Sequence, residues 1–331
     1  MSIYCPRLEH NVRLNPNGTV SKCGHMVDAP EFASFEELQH SIWLNEISNK
    51  MSAEQWPDEC IRCAQTEKAT GESIRTNMLK FDRCQTRNDY LVVGGVLDNI
   101  CNSACQMCNE NLSTKIGSLV TKDYLIVDNT KGFWALPQDR IAHLDLNGGE
   151  PSFSKNYKQI LANLPPNVES VRLNTNCTTV LEELIPLADR GIKITVTVSF
   201  DGVGLVHDYV RWPIKWQKFK DNLMTYRSMP IELNLWTTVN ALNIGNMPEI
   251  AKFVADYELD HSWAFLNRPS ELNIEYANYL TLAAKEIDHP SMVALHPFIA
   301  IKENNQLSLD SYIARQDRLR SINIRNYIKE Y

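Results

Sequence analysis

The chain has 331 residues, 44% of them hydrophobic and 22% charged, and 33 basic against 40 acidic side chains leave a net charge of -7. That is ordinary globular composition, with room for one large domain and a small one; it gives no electrostatic ground for a nucleic-acid partner, no apolar run approaches a membrane span, and Met1-Ser2-Ile3-Tyr4-Cys5 lacks a signal peptide's apolar core. Nine cysteines in such a chain point to metal or redox chemistry in a reducing cytosol, not to disulfides.

Residues 1 to about 85 hold Cys5, Cys23, Cys60, Cys63 and Cys84. Gly18 stands between the first two in a C-x12-G-x4-C pattern, and Asn15-Pro16-Asn17-Gly18 reads as a hairpin tip that brings Cys5 and Cys23 together. Ser34-Phe35-Glu36-Glu37 is a capping box opening a helix with the stripe Leu38, Ile42, Trp43, Ile47. Cys60-Ile61-Arg62-Cys63 then supplies a close pair. On ligand chemistry alone, Cys5, Cys23, Cys60 and Cys63 fit a structural zinc. Cys84 reads as a small buried hydrophobe.

An apolar run from Tyr90 to Leu97 reads as a strand, and Cys101, Cys105 and Cys108 follow it at CxxxCxxC spacing. Three thiolates on one short loop can hold three irons of a cubane 4Fe–4S cluster and leave the fourth iron open; structural zinc needs four ligands, usually two close-spaced pairs. About forty residues on, after a strand from Ile141 to Leu146, comes Asn147-Gly148-Gly149-Glu150-Pro151, whose glycines allow close backbone approach and unusual dihedrals.

From residue 86 to about 267, strand and helix patterns alternate, which predicts a parallel α/β sheet. Further strands are expected over 168–174, 192–200, 231–239 and 262–266, with helices over 154–164, 179–190, 216–229 and 248–257. The strands carry a polar face: His143, Asp145 and Asn147; Arg172, Asn174 and Asn176; Thr195, Thr197, Ser199 and Asp201; Glu232, Asn234, Trp236, Thr238 and Asn240. The opposite, apolar face should meet the helices, so the polar face should line a wet lumen that holds a polar ligand. Function is expected mainly of the residues nearest the strands' C-terminal ends, while His143, Arg172 and Glu232 equally well satisfy polar neighbours deep inside. After a break at Asn267-Arg268-Pro269-Ser270, residues 276–287 and 310–329 read as helices, and Arg315, Arg318, Arg320 and Arg325 as a solvated charged face.

CxxxCxxC followed at this distance by GGEP resembles the radical S-adenosylmethionine (radical SAM) enzymes. The resemblance implies an α/β fold with a partial (β/α)6 TIM-like barrel at 86–267, a small N-terminal Cys-rich cluster-binding domain at 1–85 and a helical C-terminal extension at 268–331. It implies that Cys101, Cys105 and Cys108 hold a 4Fe–4S cluster whose open iron is chelated by SAM, and that Gly148, Gly149, Glu150 and Pro151 meet the SAM amino group. Ser199-Phe200-Asp201-Gly202 resembles the SxDG segment near the SAM ribose and carboxylate, and Arg211 the arginine that pairs with that carboxylate. Asn176, Asn240 and Asn243 are further SAM candidates. Cys177 stands where many relatives have glycine, and a thiol there is a candidate hydrogen donor to a substrate radical.

C-x12-G-x4-C followed by a helix and CxxC looks like the auxiliary-cluster modules called SPASM and twitch, the shorter twitch type fitting better; here the module precedes the barrel instead of following it. This implies a second 4Fe–4S cluster with four cysteine ligands, Cys5, Cys23, Cys60 and Cys63. The implied reaction is reductive cleavage of SAM to methionine and a 5′-deoxyadenosyl radical, with hydrogen abstraction from substrate and an external electron donor such as flavodoxin or ferredoxin. A peptide is the first expectation for substrate, by crosslinking, dehydrogenation or epimerisation; a sugar or aminocyclitol is the alternative. The competing expectation of another class is a non-catalytic iron–sulfur or zinc binding protein.

Overall fold

Lys193 to Ser199 alternates Ile194, Val196 and Val198, all buried, with exposed or half-exposed Lys193, Thr195, Thr197 and Ser199. β-branched side chains favour the extended backbone, and alternation turns one face to a core and the other to solvent. The same logic sets the sheet of the computed structural model, which describes residues 3–80 and 89–328; Cys84 and Lys329 lie outside the described residues.

The strands are β1 (Asn11–Leu14), β2 (Val20–Ser21), β3 (Leu91–Val96), β4 (Ile141–Asn147), β5 (Ser170–Thr175), β6 (Lys193–Ser199), β7 (Glu232–Val239) and β8 (Asp260–Phe265). They form one sheet in the order β2-β1-β3-β4-β5-β6-β7-β8, parallel except for β2. From β3 to β8 the strands follow chain order with helices between them, Lys155–Ala162, Leu184–Asp189, Trp216–Arg227 and Met247–Asp256 among them. This is an α/β partial barrel of six strands. Its apolar face packs under the helices in one core, with Phe200 stacked on Phe219 and tilted against Phe253 at ring-centroid distances of 5.9 and 5.3 Å. No helix among the described residues is long and apolar enough to cross a membrane.

The N-terminal hairpin forms as expected around Gly18 at φ +83°, but it is not separate from the barrel. Its first strand pairs in parallel with β3, Arg13 opposite Gly94 and Leu14 opposite Gly95. Gly95 is what permits this. It lies at φ +95°, and a Cβ there would fall 2.2 Å from the Leu14 carbonyl oxygen.

Three helix expectations change. The capping box opens only Phe35–Gln39, because Ser41 caps anew by accepting from the Leu44 amide, and a second helix runs Ile42–Ser52. Ile42 is thereby turned to solvent, and Leu38, Leu44, Ile47 and Met51 form the buried stripe. Tyr276–Ala277 is a short strand beside Lys302–Asn304, and Asn278 caps the helix Tyr279–Lys285 with Thr281 in a reciprocal box. The last long helix runs Gln306–Arg320 and stops where Ser321 takes the left-handed conformation. Its Leu309, Tyr312 and Ile313 pack with Tyr209, Val210 and Leu242.

Gly95→Ala should lower stability by about 2 kcal/mol or more, from a strained φ and a backbone clash. Gly132→Ala, where an added Cβ meets nothing within 4 Å, should be neutral or stabilising by up to about 1 kcal/mol. Urea denaturation of both variants checks this; equal effects would show that the β1–β3 junction does not need the glycine.

Candidate functional site

The three-cysteine loop leaves β3 and is tied at both ends. Asp98, fully buried, accepts from the Ile100 amide (3.0 Å) and from Ser154 Oγ (2.5 Å). Asn99, also fully buried, donates to the carbonyls of Asn111 and Leu125 and accepts from the Val127 amide. In the middle, the Ala104 and Gln106 amides donate to the carbonyls of Trp212 and Val210, both at 2.8 Å. Arg320 Nε and Nη2 donate to the carbonyls of Ala104 (2.7 Å) and Cys105 (3.1 Å), and the Tyr312 hydroxyl donates to that of Gln106 (2.5 Å). The backbone is thus held by partners from several segments while the sulfurs receive N–H groups: Ser103 N to Cys101 Sγ at 3.4 Å and Arg211 Nη1 to Cys105 Sγ at 3.5 Å. Burial, reinforced by the Cys105 sulfur, pushes the Cys101 and Cys108 thiols up to about 12.

The Gly148-Gly149 turn after β4 lies flat on this loop. A Cβ on Gly148 would sit 2.1 Å from the Asp98 carbonyl oxygen, and one on Gly149 2.2 Å from that of Ile100. The amides of Gly149 and Glu150 donate to those same carbonyls at 2.7 and 2.8 Å. Glu150 points inward, 1% exposed, accepting from Ser152 N and Oγ, Thr175 Oγ1 and the Asn176 amide. Burial raises its pKa against the pull of these donors. Pro151 is buried beside it.

Asn176 reaches back across the mouth: its Nδ2 donates to Ser103 Oγ (2.6 Å) and Asn102 Oδ1 (2.9 Å), 4.0 Å from Cys101 Sγ. Asp201, fully buried, accepts from the Thr238 amide (2.6 Å) and pairs with Arg211 Nη2 at 2.5 Å, so a polar chain runs Thr238–Asp201–Arg211–Cys105. Burial pushes the Asp201 carboxyl up, and Arg211 opposes it. Asn240 and Asn243, both fully buried, brace the turn after β7 through each other and the Thr238 carbonyl. Cys177 lies at φ +61° in the helix-side core, fully buried, its sulfur 3.8 Å from the Phe219 carbonyl; it is not brought to the lumen.

Cys5, Cys23, Cys60 and Cys63 line one small cavity with Leu8, Met26, Ile74 and Arg75. Burial drives Cys5 up to about 11 and Cys60 up to about 12, with each of the other three sulfurs adding to the shift at Cys60. Arg7 Nη1 and the His25 amide donate to Cys23 Sγ at 3.5 and 3.4 Å. Among the described residues, no three His, Cys, Asp or Glu side chains close on a single-ion point.

Cys23 also borders the lumen, a cavity of about 800 Å³. Its walls include Asp145, Asn147, Arg172, Asn174, Thr195, Thr197, Ser199, Asn234 and Trp236 from the expected polar faces. His143 and Glu232 of those faces sit outside it. His143 is buried against Tyr90, bonded to Ser170 Oγ. Glu232 is exposed and bridges Lys193 and Thr195. Trp236, by contrast, is 37% exposed in the wall.

Residues not anticipated from the sequence are Asn99, Tyr312 and above all Arg320, expected on a solvated face but only 4% exposed under the cysteine loop. The Tyr312 and Arg320 spacing of eight on one helix, set among the apolar Leu309 and Ile313, was the available signal.

No protein-family model and no curated protein matches the chain. Among solved structures it is similar to native anSMEcpe with bound AdoMet, at 17% identity and a TM-score of 0.41 over 56% of this chain and 53% of that one. It is similar also to Streptococcus suis SuiB bound to S-adenosylmethionine (12% identity, TM-score 0.42, 94% and 70% covered) and to SuiB bound to precursor peptide SuiA (12%, 0.40, 96% and 70%). The chain spans about half the length of anSMEcpe.

Arg320→Gln should cost about 2–4 kcal/mol in urea denaturation, because two buried carbonyls lose a charged donor. Arg320→Lys should recover less than half, since one ammonium does not reproduce a planar fork. A change below about 0.5 kcal/mol in Arg320→Gln would show that the loop is held without it.

Proposed function

We propose that this chain is a radical SAM enzyme with one auxiliary cluster, acting on a peptide. The observation that carries the reading is the three-thiol loop, whose backbone is held by partners from several segments, lying under a Gly-Gly turn at the C-terminal ends of a parallel barrel's strands. Parallel barrels place their chemistry at that end. The donor set fits a cubane cluster: three cysteines on one loop, N–H groups aimed at two of their sulfurs, and a buried Gln106 Oε1 without a partner beside them. Cys5, Cys23, Cys60 and Cys63 fit a fully ligated second cluster in the same way.

When bound, the cluster and SAM supply one-electron reductive cleavage to methionine and a 5′-deoxyadenosyl radical that takes a hydrogen atom from substrate; an external donor such as flavodoxin or ferredoxin supplies the electron. The protein's part is positional. Arg320, Tyr312 and Asn99 hold the cysteine loop. Glu150 ties the Gly-Gly turn to the start of the next loop at Asn176. Arg211, held by Asp201, donates an N–H to the Cys105 sulfur. Ser199, at the end of β6, faces the lumen where a ribose hydroxyl is expected.

The N-terminal cysteine pattern resembles modules whose bearers often modify ribosomally made peptides, which supports a peptide substrate. The four-cysteine set borders the lumen at Cys23, and Cys177 is buried away from it; both favour a net oxidation, such as crosslinking or dehydrogenation, over a redox-neutral epimerisation. A small polar metabolite is the second reading, favoured by the amide and hydroxyl walls of the lumen.

Anaerobically reconstituted protein should hold about eight irons, and EPR of the reduced state should show one cluster responding to SAM. Cys105→Ala should abolish 5′-deoxyadenosine formation under dithionite, whereas Cys60→Ala should lose about four irons and keep SAM cleavage. Zinc without iron after reconstitution would sink the radical reading.

A further inference from the structure

The lumen is unlike the rest of the surface in charge. The chain carries a net charge of -7, yet the cavity is lined by Arg7, Arg13, Lys22 and Arg172 against one carboxylate, Asp145. Arg7 Nη1 donates to the Cys23 sulfur at 3.5 Å, and Arg13 Nη1 donates to Asn15 Oδ1 at 2.6 Å, leaving the other guanidinium N–H groups of Arg13 for a ligand. Arg13, Lys22 and Arg172 come from three separate elements. Arg13 and Arg172 lie in one layer of the sheet, because the register runs Arg13–Gly94, Gly94–Asp145 and Asp145–Arg172. Gly94, the member of that layer without a side chain, leaves space between Arg13 and Asp145. Gly24 makes room for the Arg13 guanidinium, since a Cβ there would fall 2.9 Å from its Nε. Lys22 is 1% exposed, and among the described residues no carboxylate lies within ion-pair distance of it; its ammonium donates to the Glu9 carbonyl at 3.4 Å. The neighbouring Asn11 Oδ1 is buried without a partner.

The next layer toward the mouth is neutral, with Asn147, Asn174, Thr197 and Asn234 on the wall, and Ser199 and Trp236 follow above it. Four residues of strand, Thr195 to Ser199, separate the charged layer from the mouth, a rise of about 13 Å. We propose that the lumen seats the substrate by a carboxylate, an acidic side chain of the peptide, held on its charged floor by Arg13, Lys22 and Arg172. The carboxylate is then a handle remote from the reacting carbon, and its binding energy positions that carbon near the cysteine loop. Guanidinium forks suit a planar carboxylate. This inference rests on the radical SAM reading for what happens at the mouth, but the anion site is testable without turnover.

The test is calorimetric titration of the reconstituted protein with acetyl-tetraglutamate amide, acetyl-tetraglutamine amide and inorganic phosphate, with 5′-deoxyadenosine measured on the same samples. The glutamate peptide should bind at least about tenfold tighter than the glutamine peptide, and Arg172→Gln and Arg13→Gln should each weaken it about tenfold, the loss of one charge-assisted hydrogen bond. Arg172→Lys should fall between. Arg315→Gln, in the cleft beside Cys108 and outside the lumen, should leave binding unchanged. Equal affinity for the two peptides, loss on Arg315→Gln instead, or phosphate displacing the glutamate peptide at lower concentration would each overturn the carboxylate site. Iron content and circular dichroism of the variants separate this from misfolding. SAM cleavage without glutamate preference would overturn the anion site alone; glutamate binding without SAM cleavage would overturn the radical reading and keep the site.

Discussion

Two loops at the ends of adjacent strands share their backbone, and the rest of the site depends on that junction. Gly148 and Gly149 bring the turn after β4 so close to Asp98 and Ile100 that any side chain would collide with a carbonyl oxygen. In return, the amides of Gly149 and Glu150 bond those carbonyls. Fixing the two loops to each other fixes the three cysteines relative to the sheet. It also turns Glu150 inward, where its carboxylate collects donors from three further residues, Ser152, Thr175 and Asn176, and so carries the constraint to the end of β5.

Buried charge completes the frame. Asp201 and Arg211 are desolvated together, a cost repaid only because the carboxylate also takes the Thr238 amide and the guanidinium also meets a sulfur. Arg320 does comparable work from the C-terminal helix, answering two loop carbonyls and Gln316. The C-terminal segment is therefore part of the site's architecture. It is anchored by Leu309, Tyr312 and Ile313 against Tyr209, Val210 and Leu242.

The N-terminal hairpin has a second consequence. Because β1 joins the barrel's sheet beside β3, the residues around Cys23 reach both the four-cysteine cavity and the lumen. One short strand thus couples a second thiol set, a basic floor and the barrel wall.

Much of this was legible in one dimension. Apolar runs and period-two alternation together located all six barrel strands to within about two residues, because a β-branched strand leaves a local signature. Cysteine spacing marked both thiol sets, and Gly18 with its neighbours marked the hairpin. What the sequence could not settle are facts of long-range packing. Asp201 and Asn176 stand at strand ends where ligand contact was expected and also bond partners from a neighbouring strand or loop, while Asn240 bonds Thr238, Leu242 and Asn243 of its own turn. Arg320 reads as solvated until the cysteine loop is folded over it, and Cys177 reads as a mouth residue until its left-handed backbone turns it into the core. Only the register of β1 against β3 decided that Arg13 and Arg172 share a layer, since strand pairing between residues eighty apart is set by the tertiary fold and not by local pattern.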